Sequence, residues 1–220
     1  SIIGCAAGDA ITTGKCNVVL GTNALGAGTT ACLNIAIGQL ALGAGVLACG
    51  GAGQAEGNIA IGESALTAVT AGSNNIGMGL TSGDALTTGT DNVAIGRLAL
   101  SASPDGADNI AIGRSALAAS DGVADCNNIA LGLDALGAST TGCKNVAIGE
   151  LALGAAVTTG NDNVAIGSAA LDAATSAAQN VAIGLNALGA STATNYSVAI
   201  GHTAMGGTDT TGIDNIAIGR

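Results

Sequence analysis

Asn163-Val164-Ala165-Ile166-Gly167 is the stretch whose reading decides the fold, because the chain is built of copies of it. Asn, then Val or Ile, a small residue, an aliphatic and Gly begin at Asn17, Asn34, Asn58, Asn75, Asn92, Asn109, Asn128, Asn145, Asn163, Asn180 and Asn215. Ser197 opens a twelfth copy, and Ser1-Ile2-Ile3-Gly4 reads as a thirteenth whose Asn would precede the first residue. Seven of the eleven spacings between full copies are 17 residues, the rest being 18, 18, 19 and 24. A short fixed period over the whole length is the signature of a solenoid, in which no repeat buries its apolar face alone.

Within each copy, alternation with period two puts the large pair on one face of a strand and the small residue on the other. Gly follows in every copy, a corner that asks for positive φ or close backbone approach. An Ala-Leu pair comes next in most copies, such as Ala99-Leu100 and Ala170-Leu171, and reads as a second short strand or a bend returning Leu to the core. Gly8-Asp9-Ala10-Ile11 and Gly83-Asp84-Ala85-Leu86 carry that pair displaced. Short helices are the competing reading, since Ala and Leu form helices well. Against them, a β-branched residue recurs between Asn and Gly, neither of which suits a helix interior.

The expected architecture is therefore an all-β, parallel β-solenoid of about 13 coils, a single domain over residues 1–220, with loop insertions near 43–57 and 118–125. Rungs spaced about 4.8 Å apart would make a rod of roughly 60 Å. The Asn column, including Asn92, Asn109, Asn128, Asn145, Asn163 and Asn180, is expected to satisfy backbone groups at a corner and to bond to the Asn above and below. Neither end looks capped, so the ends are expected to stack on another subunit. With neither signal peptide nor initiator Met, the sequence reads as a processed chain or a fragment.

Composition narrows the function classes. Phe and Trp are absent and Tyr196 is the one aromatic residue, so a thin interior of Val, Ile, Leu and Ala is expected. Net charge is −10, yet only 9% of residues are charged. Acidity with few Lys or Arg argues against nucleic acid as a partner. A surface so poor in charge points instead to burial against other copies of the chain. The uncharged run 16–55 contains a window, 31–49, hydrophobic enough to suggest a membrane span, but the repeat stays in phase through it and no span is expected.

Runs such as Ser197-Val198-Ala199-Ile200-Gly201 resemble the head repeats of trimeric autotransporter adhesins. The longer pattern, Asn163-Val164-Ala165-Ile166-Gly167 followed by Ala170-Leu171 and later by Thr-Thr-Gly, is similar to repeats of phage tail-fibre-like surface proteins. The resemblance covers essentially the whole chain and implies a left-handed β-roll and an extracellular, elongated, oligomeric stalk or adhesive head. The adhesin repeats are usually shorter, and no coiled-coil stalk or membrane anchor is visible in this sequence.

Six cysteines are the most informative special residues. Cys126 and Cys143 lie 17 apart, as do Cys32 and Cys49, so each pair is expected on adjacent rungs within disulfide reach. Cys16 competes for Cys32, Cys5 is a candidate to link subunits, and unpaired buried thiols are the alternative. Disulfides would imply an oxidising compartment. Asn195 opens a glycosylation sequon, and Thr87, Thr88, Thr158, Thr159, Thr210 and Thr211 at polar corners are candidates for O-linked sugars. Asp91, Asp108, Asp162 and Asp214 precede the Asn and read as turn aspartates rather than calcium ligands. His202 occupies a column filled elsewhere by Glu63, Arg97 and Leu185, which marks a solvated face rather than a catalytic base. No metal site, cofactor or catalytic set is expected. The favoured function is a non-enzymatic, self-associating extracellular fibre, stalk or adhesive head; the alternative is a module that binds glycans, a cell surface or ice.

Overall fold

The computed structural model describes residues 1–48, 55–119, 127–156, 158–207 and 212–220. It is a parallel β-solenoid of about 12 turns with a repeat of about 17 residues. Its strands are β1 (Ile2–Ile3), β2 (Val18–Leu20), β3 (Ile35–Ile37), β4 (Ile59–Ile61), β5 (Ile76–Met78), β6 (Val93–Ile95), β7 (Ile110–Ile112), β8 (Ile129–Leu131), β9 (Val146–Ile148), β10 (Val164–Ile166), β11 (Val181–Ile183), β12 (Val198–Ile200) and β13 (Ile216–Ile218). They form one 13-stranded sheet in chain order. No helix occurs among the described residues, and none there is long and apolar enough to cross a membrane.

Register follows the sequence repeat. Ala94 pairs with Ala111 and Ala111 with Ala130, while Ile95 pairs with Ile112. Ile2 pairs with Val19, which makes the first four residues a genuine copy of the strand and corner. The two expected insertions include residues 49–54 and 120–125, outside the described ranges, but β3 pairs β4 and β7 pairs β8 without a slip across them. Extra residues therefore enter on the turn side and leave the ladder intact.

The interior corrects one expectation. Val and Ile of the strands do not fill it; the small residue between them does. Ala94, Ala111, Ala130 and Ala147 are fully buried, whereas Ile110 and Ile112 keep 36% and 38% of their surface. A coil of about 17 residues encloses so little space that a methyl group fits under the strand, and the remaining volume goes to Leu100, Leu117, Leu136 and their equivalents, all buried. The larger strand side chains are displaced to the outer face.

The Ala-Leu pair forms turns, and no coil has a second strand among the described residues. Each coil bends through left-handed residues: Asp108 (φ 58), Ser115 (φ 55) and Leu117 (φ 51) in one turn, with equivalents along the rod. Such a conformation costs an L-residue about 1–2 kcal/mol. What offsets it is alternating hydrogen bonding. Asp108 N–H donates to Thr90 O of the preceding coil and Ile110 N–H to Asn128 O of the following one. Ser115 N–H then donates back to Arg97 O, and Leu117 N–H forward to Ala135 O. The corners reorient successive amides so that the backbone is satisfied on both sides without a second sheet.

Where Gly83 stands in the place of this Leu, the core is filled from the other side. Leu86, three residues on, is fully buried, and a Cβ on Gly83 would lie 2.7 Å from Leu66 Cδ2 and 3.0 Å from Leu86 Cδ1. The displaced pair seen in the sequence is thus a volume exchange within one coil.

Candidate functional site

Two features of the rod bear on function: a buried polar ladder inside and an apolar stripe outside. The ladder runs through every coil from Asn17 on. Asn92 illustrates a step: its Nδ2 donates to Gly106 O at 2.6 Å, closing its own coil, and to Asn75 Oδ1 at 3.0 Å. Its Oδ1 accepts from the Asn109 N–H at 3.0 Å. Asn128 accepts from Asn145 N–H, Asn145 from Asn163 N–H and Asn163 from Asn180 N–H in the same way. Ser197 continues the ladder with a hydroxyl, accepting from Asn215 N–H at 3.2 Å. From Asn34 to Asn180 the amides are fully buried and occupied by bonds inside the rod, while Asn17 and Asn215 near its ends are half-buried.

The outer stripe consists of two columns in unbroken register, one running from Val18 through Ile110 to Ile216, the other from Ile3 through Ile112 to Ile218. With a rise of about 4.8 Å per strand and side chains spanning about 10 Å, the stripe covers on the order of 600 Å². Soluble monomers seldom expose contiguous apolar patches beyond a few hundred Å². One rim is the column before each Asn, holding Asp91, Asp108, Lys144 and Asp162; the other is the column after each corner Gly, holding Glu63, Arg97, Arg114 and Glu150. All eight side chains are exposed.

Cys32 is disulfide-bonded, and since no two cysteines among the described residues lie at disulfide distance, its partner is outside them. Cys5 and Cys16 are exposed free thiols, so the Cys16 to Cys32 bridge does not form. Cys16 takes a left-handed corner (φ 60) while Cys32 lies one place before the equivalent corner, so the two are out of phase by a residue. Cys49 and Cys126, hence the Cys32–Cys49 and Cys126–Cys143 pairings, lie outside the described residues, as do Thr210 and Thr211.

Among the modification candidates, Thr158 is fully buried, its Oγ1 donating to Ala174 O at 3.2 Å. Thr159 and Thr88 are exposed; Thr87 is half-buried and donates to Pro104 O. Thr88 also hydrogen-bonds to Asp105. Asn195 is half-buried, its Oδ1 accepts from Ala178 N–H at 2.8 Å, and the sequon's Ser197 is buried in the ladder. His202 is exposed beside Thr203, whose hydroxyl lies 3.3 Å from Nδ1. Among the described residues no group of three His, Cys, Asp or Glu side chains is placed to hold a metal ion.

Two half-buried carboxyl groups escaped the sequence reading. Asp84 Oδ1 is enclosed without a partner, and desolvation pushes its carboxyl above the usual range against backbone amides that pull it down. Asp172, at the equivalent place five strands later, is raised for the same reason, although its Oδ1 accepts from Ala155 N–H at 2.8 Å. The displaced pair around Gly83 was the available signal for the first; nothing in the sequence marked the second.

The fold defines the class as a parallel β-solenoid repeat protein. Comparison with family models, curated proteins and solved structures finds no match.

Proposed function

We propose that the chain is a non-enzymatic structural protein: a β-solenoid shaft that associates with copies of itself through its strand face to build an extracellular fibre, stalk or adhesive head. The observation carrying this reading is the outward pair of aliphatic columns, which run the length of the rod while the coil's own interior is filled by Ala and Leu. Such a stripe is stabilised when it leaves water, at roughly 25 cal/mol per Å². The resemblance of the repeats to adhesin heads and tail-fibre-like proteins supports the same reading and the extracellular setting.

Binding of glycans or ice has less support. A regular array of free Thr hydroxyls would favour it, but those of Thr12, Thr70, Thr87 and Thr175 donate to carbonyls of the neighbouring coil. Sedimentation velocity and electron microscopy test the proposal. The chain is expected to form bundles or fibres, and the double variant Ile95→Lys/Ile148→Lys to keep its far-ultraviolet circular dichroism while shifting to monomer. Monodisperse rods of the unaltered chain at high concentration would refute it.

A further inference from the structure

We propose that Met78 is an oxidation site through which peroxides control self-association: its thioether sits in the apolar stripe, and conversion to the sulfoxide blocks the contact there. The proposal rests on the self-association reading and adds its regulation. The outer column that starts at Ile3 holds Ile or Leu in every coil except that of Asn75, where Met78 stands between Ile61 and Ile95 in register. Met78 keeps 36% of its surface, so an oxidant in water reaches its sulfur. Met ordinarily serves as a flexible filler of irregular cores. Here the core does not call on it. A Cβ on Gly77 would lie 2.6 Å from Leu66 Cγ, and Leu86 occupies the space left by Gly83, so the coil is filled from within while Met78 lies on the outer face.

A lone pair on Met78 Sδ attacks one peroxide oxygen, and the S–O bond forms as the O–O bond breaks. The proton of the transferred oxygen joins the departing hydroxide as water; sulfur loses two electrons and the peroxide gains them. The product places a polar acceptor in a surface of hydrocarbon. Ile59, Ile61, Ile76, Val93 and Ile95 around it carry no donor. The strand amides are engaged in the ladder, Ile76 N–H with Asn92 O, Gly79 N–H with Ile61 O and Gly96 N–H with Met78 O. Pressed against another copy, the sulfoxide oxygen loses its water and gains no partner, whereas in the free rod water solvates it and the fold is untouched. Met205, the chain's other methionine, gives the contrast. It takes the place of the core Leu, is half-buried and packs against the interior, so its oxidation acts on the fold rather than on the outer face. Assembly covers the stripe, so associated chains are shielded and free ones are oxidised; the modification then holds free chains apart.

Treatment of the full chain with hydrogen peroxide, followed by peptide mass mapping and sedimentation equilibrium, tests this. Met78 is expected to gain oxygen faster than Met205, and more slowly at concentrations where the chain is associated. The oxidised chain is expected to associate about tenfold more weakly, with unchanged circular dichroism. Met78→Leu is expected to associate normally and to keep doing so after peroxide, which separates Met78 from the exposed thiols of Cys5 and Cys16. Met78→Gln, which brings a polar group of similar length without any oxidant, is expected to show the same weakening. An oxidised chain that associates as before, or a Met78→Leu chain that loses association to peroxide equally, would overturn the switch while leaving self-association standing. An untreated chain that stays monomeric at all concentrations would overturn the self-association reading itself.

Discussion

Asn92 does at residue scale what a strand partner does elsewhere: it closes its own coil at Gly106 and receives the next coil's amide. Asn92→Ala would leave Asn109 N–H and Gly106 O buried without partners, so a loss of about 2–4 kcal/mol is expected in urea unfolding. Asn92→Ser, which reproduces the hydroxyl that Ser197 uses, is expected to cost less than Ala. Asp84 offers the opposite case, a group the fold would hold more easily without its charge. Its folded carboxyl titrates above the ordinary value, so the folded state binds the proton more tightly than the unfolded one. Its contribution to stability is present below the unfolded value, near 3.8, and lost as pH rises through the folded one. Asp84→Asn should therefore stabilise the fold at pH 7, by under about 1 kcal/mol given its partial exposure, and so raise the melting temperature there, with the advantage fading by pH 3. An equal gain at both pH values would show that charge is not the cause.

At the scale of the element, the coil is a three-residue strand closed by tight corners, and the corner Gly has the least latitude. Gly113 has φ +136, and a Cβ there would lie 2.3 Å from Gly132 O of the next coil. Gly113→Ala is expected to cost more than about 2 kcal/mol, whereas Gly207→Ala, with nothing within 4 Å, should be close to neutral in thermal melts. The invariant Gly and the recurring Asn made the strand, its period and its parallel register legible in the sequence. The direction of the strand was not legible. Alternation separates Ala111 from Ile110 and Ile112 but does not say which side is inside, and the usual preference for large residues in the core fails in a coil this narrow. Nor could Leu117 announce its left-handed conformation, since Leu ordinarily avoids it and only the alternating amide bonds of the closed coil compensate. For the cysteines, 17-residue spacing identified rungs, but Cys16 and Cys32 differ by one place in phase, enough to turn the two side chains to different positions around the coil.

At the scale of the whole molecule, most coils present to their successor the same groups that they receive from their predecessor: an Asn amide, strand amides and carbonyls, Ala and Leu. Interactions run between neighbours alone, so stability is close to a sum of coil and interface terms. Removal of residues 92–108 would bring Asn75 beneath Asn109 with the ladder rejoined, Ala111 and Leu117 taking the places that Ala94 and Leu100 hold beside Gly77 and Gly83. That shortened chain is expected to fold with an unchanged circular dichroism band shape and, by small-angle scattering, to be shorter by about one 4.8 Å rung. A collapse of the fold on excision would show that the coils are not interchangeable. The Asn ladder thus acts as a molecular ruler: each graduation is self-contained, so the rod can be lengthened or trimmed in whole increments with no redesign of the cross-section.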